Sequence, residues 1–129
     1  MYSRIVVGTD GTDRSLIAVD HAARLAAAFT AELHVVAAAS PIAKLSDASA
    51  NTAAKLGHDA SKRYGVRVVE HPAVGEPASV LIAVADAVDA DLIVVGNTSA
   101  AGHIRKFTGS VPSRLAHHTR RPLLIVHTG

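Results

Sequence analysis

Short apolar runs of strand length alternate along this chain with longer stretches of helical periodicity, and this alternation constrains the fold more than any other feature. Strand runs separated by helical patterns predict β-α-β units, whose strands lie parallel and whose crossovers are right-handed. The predicted strands are Ile5–Gly8, Glu32–Ala38, Val66–Glu70, Leu92–Val95 and Leu123–Val126. The predicted helices are Thr12–Phe29, Asn51–Tyr64, Ala78–Val88 and Val111–Thr119, and Pro72–Pro77 is a predicted loop. Residues 40–51 are rich in Ser, Ala and Asp, and the pattern assigns them no element. We therefore expect one α/β domain over residues 1–129, a five-stranded, parallel, doubly wound, Rossmann-like sheet with helices on both faces.

The composition favours such a sheet and narrows the class of protein. Of the 129 residues, 49% are hydrophobic but only 3% are aromatic, which suits small side chains packed between helices and a parallel sheet. The absence of cysteine excludes a disulfide framework and thiolate metal ligands. Met1–Arg4 leads straight into the first predicted strand, and no apolar run approaches the roughly eighteen residues of a membrane-spanning helix. We expect a soluble, cytoplasmic protein with no membrane partner.

The charges are distributed unevenly, although the formal net charge is only +2. All 11 acidic residues lie at or before Asp91. The charged residues after it are Arg105, Lys106, Arg114, Arg120 and Arg121. A C-terminal third whose charged residues are all positive suits an anionic ligand. It is equally compatible with a solvated helix face whose charge is balanced in space by the acidic residues earlier in the chain. Nucleic acid is not the expected partner, because the basic residues are not interleaved with stacking aromatics.

Two unusual loops follow the first and fourth predicted strands. In doubly wound sheets, ligands lie beyond the carboxyl ends of the strands, where the winding direction reverses. If these two strands are neighbours, Gly8–Gly11 and the segment Gly96–Ser110 share that crevice. A glycine at a strand end lets the backbone approach a ligand closely, and Gly109 with Ser110 before a helix offers N–H donors to an anion. The two loops together predict a phosphate-holding site.

Signatures of conventional enzymes and metal sites are missing. The sequence contains no G-x-G-x-x-G fingerprint, no P-loop and no G-x-S-x-G elbow. The eight histidines are scattered, without an H-x3-H pair, and the adjacent His117 and His118 would point to different sides of a helix. We predict surface or partly buried histidines and no metal site. His103, inside the second loop, is the one histidine placed to touch a ligand.

Five stretches of the sequence carry a family resemblance. They are Ile5–Ser15, Ala31–Val36, Asp91–Asn97, Gly109–Pro112 and Arg121–Val126. Through them the chain resembles the universal stress protein family over essentially its whole length. The ATP-binding branch of that family carries G-x2-G-x9-G-[ST], and here Gly96, Gly109 and Ser110 occupy the first, third and fourth positions. Ser99 stands at the second glycine, so a Cβ occupies a place where the backbone should approach a phosphate.

This resemblance implies an ATP site, with or without Mg²⁺, and a role for each matching residue. Asp10 would contact the adenosine, with Gly8 giving the backbone room, although helix capping or an Asx turn is the commoner use of such an aspartate. Backbone groups near Ala38 would meet the adenine edge, and Gly96 and Asn97 would lie against the ribose. The phosphates would be surrounded by Ser99, Gly102, Gly109, Ser110 and Val111.

The resemblance also implies a homodimer and a regulatory function. The last strand, Pro122–Val126, is apolar and should lie at a sheet edge that needs covering, and the family pairs this strand across a two-fold axis. We expect an ATP-binding stress-response protein that acts as a homodimer. Two alternatives stay open. The first is a nucleotide-free interaction module, in which Ser99 marks a degenerate nucleotide site. The second is a slow ATP hydrolase, in which Asp10 or Asp13 would position a metal ion on the phosphates. No general base is evident for the hydrolase, so we name no catalytic residue.

Overall fold

The computed structural model describes residues 2–39, 46–97 and 111–128, which form four helices and a five-stranded parallel sheet. In chain order the elements are β1 (Arg4–Thr9), α1 (Asp13–Phe29), β2 (Glu32–Ala39), α2 (Ser46–Tyr64), β3 (Val68–Val74), α3 (Pro77–Val88), β4 (Leu92–Gly96), α4 (Val111–His118) and β5 (Leu123–Val126). The strand order is β3-β2-β1-β4-β5. None of the described helices combines the length and the apolar character needed to cross a membrane. The predicted fold class is confirmed.

The central strand, β1, lies between β2 and β4. Its parallel register pairs Gly8 with Val36 on one side and Val7 with Val94 on the other. Since β2 and β3 extend the sheet in one direction and β4 and β5 in the other, the winding reverses between β1 and β4. The expectation that the first and fourth strands are neighbours is therefore confirmed, and their carboxyl ends adjoin at one edge of the sheet.

Two apolar layers hold the helices to the sheet. Ile5 and Val7 of β1 belong to the layer under α1 and α2, whereas Val6 packs with Leu81 of α3 and Leu115 of α4. Successive strand residues point to opposite faces, so the continuous apolar runs of β1 and β4 serve both layers. Burying each large aliphatic side chain contributes about 1.5–3 kcal/mol. The small side chains that let α1 approach the sheet are Ala18, Ala22, Ala23 and Ala26, all fully buried.

The second helix is longer than its sequence pattern predicts. It begins at Ser46, inside the segment to which the pattern assigns no element, and not at Asn51. Serine and aspartate favour the start of a helix, and alanine is the strongest helix former. Apolar periodicity misses this turn because residues 46–50 contain no large apolar side chain.

The third strand is also placed wrongly by the sequence pattern. It covers Val68–Val74 and not Val66–Glu70, so the predicted loop Pro72–Pro77 starts too early. Pro72 lies within the strand and pairs with Ala37 of β2. A proline is tolerated here because β3 is an edge strand, where its missing N–H need not face a neighbouring strand.

Candidate functional site

The crevice at the carboxyl ends of β1 and β4 collects several residues that the sequence singles out. The last residues that pair between β1 and β4 are Val7 and Val94, and the last that pair between β1 and β2 are Thr9 and Ala37. Residues just beyond these pairs therefore lie side by side at one edge of the sheet. They are Gly8 and Asp10 of the first loop, Gly96 and Asn97 at the end of β4, and Ala38 of β2.

The turn between β1 and α1 holds Asp10 in a defined position. Its Oδ1 accepts the backbone N–H of Thr12 at 2.9 Å and the Thr12 hydroxyl at 2.5 Å, which is an Asx turn. Gly11 has a φ of 83°, a left-handed conformation that glycine adopts without strain. The Thr9 Oγ1 accepts the Gly11 N–H at 3.1 Å and lies 2.6 Å from the Ser15 hydroxyl. The Asx-turn interpretation of Asp10 is confirmed, and the side chain is exposed.

The two strand-end glycines make room for other side chains of the same chain. A Cβ on Gly8 would lie 2.9 Å from Leu81 Cδ1, and a Cβ on Gly96 would lie 3.0 Å from Thr128 Cγ2. Carbon atoms in good contact are about 3.5–4.0 Å apart. Packing on the two faces of the sheet therefore accounts for both glycines without any ligand.

Asn97 joins the end of β4 to the residues that follow β5. Its N–H donates to the carbonyl of Val126 at 3.0 Å. Its Oδ1 accepts the Thr128 N–H at 2.8 Å and the Thr128 hydroxyl at 3.0 Å. Its Nδ2 lies 3.1 Å from Nδ1 of His127, which must be the acceptor because an amide nitrogen only donates. Asn97 thus has a structural role that sequence analysis missed, since Thr128 lies 31 positions away.

Most of the predicted phosphate contacts lie outside the described residues. These are Ser99, Gly102, Gly109 and Ser110, together with His103, Arg105 and Lys106 of the same loop. Val111 is described, as the half-buried first residue of α4, and it packs against the apolar layer under α3. The described part of the crevice therefore corresponds to the adenosine half of the site that the family resemblance implies.

Comparison with known proteins identifies the family. The sequence profile described as the Universal stress protein family matches residues 1–127. The chain belongs to the universal stress protein family. Universal stress protein Rv1636 of Mycobacterium tuberculosis is 36% identical over 143 aligned positions, which cover 98% of this chain and 97% of that protein. Universal stress protein MJ0531 of Methanocaldococcus jannaschii is 32% identical over 140 positions, covering 98% and 82%.

A solved structure extends the comparison to three dimensions. A universal stress protein crystallised in complex with cAMP is 39% identical to this chain, with a TM-score of 0.82. The match covers 99% of this chain and 98% of that one. The resemblance drawn from the sequence motifs is thus confirmed.

Beside the crevice of this universal stress protein, Glu76 links α3 to α4. Its carboxylate caps α3 by accepting the N–H groups of Ala78 at 3.2 Å and Ser79 at 2.8 Å, and it pairs with Arg114 of α4 at 3.0 Å. Burial raises the pKa of Glu76, but the hydrogen bonds from Ser79, Arg114 and Ala78 outweigh it, so the pKa is lowered overall. The charged carboxylate therefore caps α3 and joins its start to Arg114 of α4.

A second basic residue of the C-terminal third is also paired. Arg121 contacts Asp86 at 3.2 Å and Asp89 at 3.1 Å, and it donates to the carbonyl of Ala90 at 2.6 Å. Together with the pair between Arg114 and Glu76, these contacts agree with the second interpretation of the basic C-terminal third, in which acidic residues from earlier in the chain balance its charge. Arg114 and Arg121 are therefore engaged within the protein.

Two clefts open elsewhere on the described surface of the universal stress protein. One, of about 430 Å³, lies between α1 and α2, and the other, of about 570 Å³, lies at the amino-terminal edge of the sheet. Neither is lined by Asp10, Gly96 or Asn97, although Gly11 and Asp13 reach the first. The crevice is therefore distinct from these two clefts, and the topology of the described strands defines it.

The prediction for the histidines is wrong at one position. His34, expected to be at the surface or partly buried, is buried with 4% of its surface exposed. Its two ring nitrogens contact His71 and Glu32. Burial and the neighbouring His34 ring lower the pKa of His71. Across residues 2–39, 46–97 and 111–128, no group of three or more His, Cys, Asp or Glu side chains converges as a metal cluster.

Proposed function

We propose that this universal stress protein binds an adenine nucleotide, ATP foremost, in the crevice between β1 and β4 and acts as a stress-response regulator. The observation that carries the proposal is the exposed carboxylate of Asp10 at the point where the winding reverses, which is where doubly wound sheets bind ligands. The relative that is 39% identical over almost the whole chain was solved with cAMP. That complex supports an adenine nucleotide as the class of ligand.

The described residues offer the chemistry that an adenosine needs. A carboxylate only accepts hydrogen bonds, so Asp10 suits the hydroxyl groups of a ribose. The Asx turn engages Oδ1 of Asp10, which makes Oδ2 the oxygen for the sugar. Backbone groups near Ala38 would meet the adenine edge, and Gly96 with Asn97 would lie beside the ribose. Asn97 is held in place by Thr128, so this wall of the site is preorganised.

The phosphate half of the proposed site rests on the sequence and on the start of α4. The first N–H groups of a helix have no partner within it, and the helix dipole makes this end positive. Because α4 begins at Val111, the phosphates would lie at its start. The residues proposed to surround them are Ser99, Gly102, Gly109, Ser110 and Val111. Mg²⁺ bound to the phosphates would find Asp10 and Asp13 as the carboxylates of the β1–α1 region.

Two measurements test the proposal. Mass spectrometry of the denatured, purified protein identifies any nucleotide that it carries, and calorimetric titration with ATP–Mg²⁺ and with cAMP compares affinities. We expect Asp10→Ala and Asp10→Asn to weaken ATP binding about tenfold to a hundredfold, because hydrogen bonds to charged groups contribute about 1.5–3 kcal/mol. Asp10→Asn keeps an oxygen for Thr12, so its effect reports on the ligand and not on the turn. Asp59→Ala, which removes an exposed carboxylate of α2 outside the proposed crevice, is the matched control, and it should leave affinity nearly unchanged.

One observation favours a second candidate, a nucleotide-free interaction module. Ser99 departs from the glycine of the ATP-binding motif, and its Cβ would obstruct close approach of the backbone to phosphate. Absence of nucleotide in the purified protein, together with no thermal shift on adding ATP–Mg²⁺, would favour the module over the nucleotide-binding proposal. Steady production of ADP that Asp10→Ala abolishes would instead support the ATP hydrolase.

We further propose that the protein is a homodimer paired through Pro122–Val126. In the described sheet β5 is an edge strand, with β4 as its neighbour on one side. Ile125 in its middle is 46% exposed. An exposed apolar edge strand is a template for pairing with another strand. A second copy of the same strand, antiparallel across a two-fold axis, would satisfy its backbone groups and cover Ile125.

A further inference from the structure

Away from the nucleotide crevice, two imidazole rings meet on the part of the sheet formed by β2 and β3. Nδ1 of His34 lies 2.8 Å from Nε2 of His71, and the ring centroids are 5.1 Å apart. The register pairs His71 with Val36, so His34 is its diagonal neighbour on the same face. His34 is buried, whereas His71 is half-buried on the edge strand. One side of the pair is therefore fixed in the core and the other opens toward solvent.

The carboxylate of Glu32 sets the proton positions of this pair. Its Oε1 lies 2.7 Å from Nε2 of His34, and its Oε2 lies 3.3 Å from Nε of Arg67. A carboxylate only accepts, so His34 carries its proton on Nε2, and Nδ1 of the neutral ring directs a lone pair at His71. A carboxylate behind a histidine, with the opposite ring nitrogen presenting a lone pair, is the arrangement that orients histidine ligands of metal ions.

We propose that Nδ1 of His34 and Nε2 of His71 bind a divalent transition-metal ion, of the class that imidazole prefers (Zn²⁺, Ni²⁺ or Cu²⁺), in place of the proton between them. The inference does not depend on the proposed nucleotide site. Two protein ligands converge here, and water would complete the coordination from the exposed side of His71. At metal–nitrogen distances of about 2.0–2.1 Å and tetrahedral angles, the two nitrogens would lie about 3.3 Å apart. The two nitrogens must therefore separate by about 0.5 Å and the rings must tilt toward the ion, and the place of β3 at the edge of the described sheet allows this movement.

Binding requires a change of tautomer and no net loss of a proton. In the metal-free pair, His71 donates from Nε2–H to His34. In the bound pair, that proton moves to Nδ1 of His71, and Nε2 becomes a ligand. His34 keeps its Nε2–H bond to Glu32 throughout, and the negative carboxylate offsets part of the charge of the ion. The proposed ligands are thus neutral imidazoles, the form in which histidine binds metals.

Calorimetric titration of the metal-free, untagged chain with ZnCl₂ tests the site. We expect one equivalent to bind, and His71→Ala to weaken that binding at least tenfold. Glu32→Gln should weaken it about tenfold to a hundredfold, the usual cost of losing a partner behind a ligating histidine. His58→Ala, which removes an exposed histidine of α2, is the matched control and should bind as the unaltered protein does. Thermal melts confirm that each variant is folded before its affinity is compared.

A second readout avoids substitution of the buried histidine. In two-dimensional NMR spectra of imidazole ¹⁵N nuclei, Zn²⁺ should shift Nδ1 of His34 and Nε2 of His71 and move the His71 proton to Nδ1. Three results would overturn the proposal: no binding of Zn²⁺, binding of equal affinity in His71→Ala, or shifts confined to other histidines such as His117 and His118.

Discussion

The side-chain oxygen of Asn97 accepts two hydrogen bonds from Thr128, one from its N–H at 2.8 Å and one from its hydroxyl at 3.0 Å. These bonds connect the end of β4 to the segment after β5. They lie where we propose that the ribose binds. Thr128 is buried, with 5% of its surface exposed. Loss of the Asn97 oxygen therefore removes two hydrogen bonds from a buried residue.

We expect Asn97→Ala to lower the free energy of unfolding by about 1–3 kcal/mol, because it removes two hydrogen bonds to Thr128, each of which contributes about 0.5–1.5 kcal/mol. Asn97→Asp keeps the oxygen that Thr128 requires and should recover most of this loss. The new negative charge in the proposed site should still weaken the binding of ATP, which is itself an anion. Chemical denaturation and calorimetric titration measure the two effects separately. Equal destabilisation by both variants would contradict the role assigned to the oxygen.

The contact between Gly96 and Thr128 predicts a compensating pair of substitutions. Gly96→Ala would place a Cβ 3.0 Å from Thr128 Cγ2, and such overpacking costs about 1–3 kcal/mol. Thr128→Ser removes that methyl group and keeps both hydrogen bonds to Asn97, so the double variant should recover stability lost in Gly96→Ala. Unfolding free energies of the four proteins in this double-mutant cycle give the coupling. If the losses of unfolding free energy in the two single variants simply add in the double variant, the Cβ at position 96 is not crowded by the Thr128 methyl group.

The fold could be predicted from the sequence because its signals are local. Apolar runs such as Leu92–Val95 mark buried parallel strands, and the strand–helix alternation fixes the class of sheet. The pattern misplaces β3 because Pro72 indicates the end of a strand unless that strand is known to lie at a sheet edge. Ser46 was missed as the start of α2 because helix propensity without large apolar residues leaves no periodic pattern.

The site was less predictable because its contacts join distant positions. The Asx turn of Asp10 involves Thr12, only two residues away, and the sequence predicts it as an alternative role of the aspartate. The contact between His34 and His71 spans 37 positions on two strands, and it depends on a register that periodicity does not specify. The same reason explains why Asn97 was assigned to a ligand and not to Thr128.

Acid should weaken the fold through Asp91. Its Oδ2 accepts the N–H of Arg4 at 2.9 Å and that of Ser3 at 2.6 Å. The bond from Arg4 has the largest effect on the pKa of Asp91 and the bond from Ser3 the next, and both lower it below its ordinary value of 3.8. A lowered folded-state pKa means that the stabilisation is fully present above the unfolded-state pKa and is lost as pH falls through the folded-state pKa. Denaturation of the unaltered protein and of Asp91→Asn should differ most near neutral pH and converge in acid. Parallel stability curves would contradict this linkage.

Charge placed on the β5 edge should break the proposed homodimer. Ile125→Lys replaces an exposed apolar side chain with one that guards strand edges, so we expect a monomer. Val74→Lys is the matched control, since Val74 is 48% exposed on β3 at the opposite edge of the sheet. Light scattering coupled to size-exclusion chromatography gives the mass of each variant. A dimeric Ile125→Lys, or a monomeric Val74→Lys, would place the interface elsewhere.

Ser99 decides how well the proposed site holds phosphate. Ser99→Gly restores the glycine of the ATP-binding motif, and it should tighten ATP binding because the backbone can then approach the phosphate more closely. Ser99→Ala separates two roles of the serine, since it removes the hydroxyl and keeps the Cβ. If the Cβ obstructs, Ser99→Ala should bind as the unaltered protein does; if the hydroxyl donates to a phosphate, affinity should fall by about 0.5–1.5 kcal/mol, or roughly two- to tenfold. Calorimetric titration with ATP–Mg²⁺ distinguishes these outcomes, and weaker binding by Ser99→Gly would show that the serine is a ligand and not an obstruction.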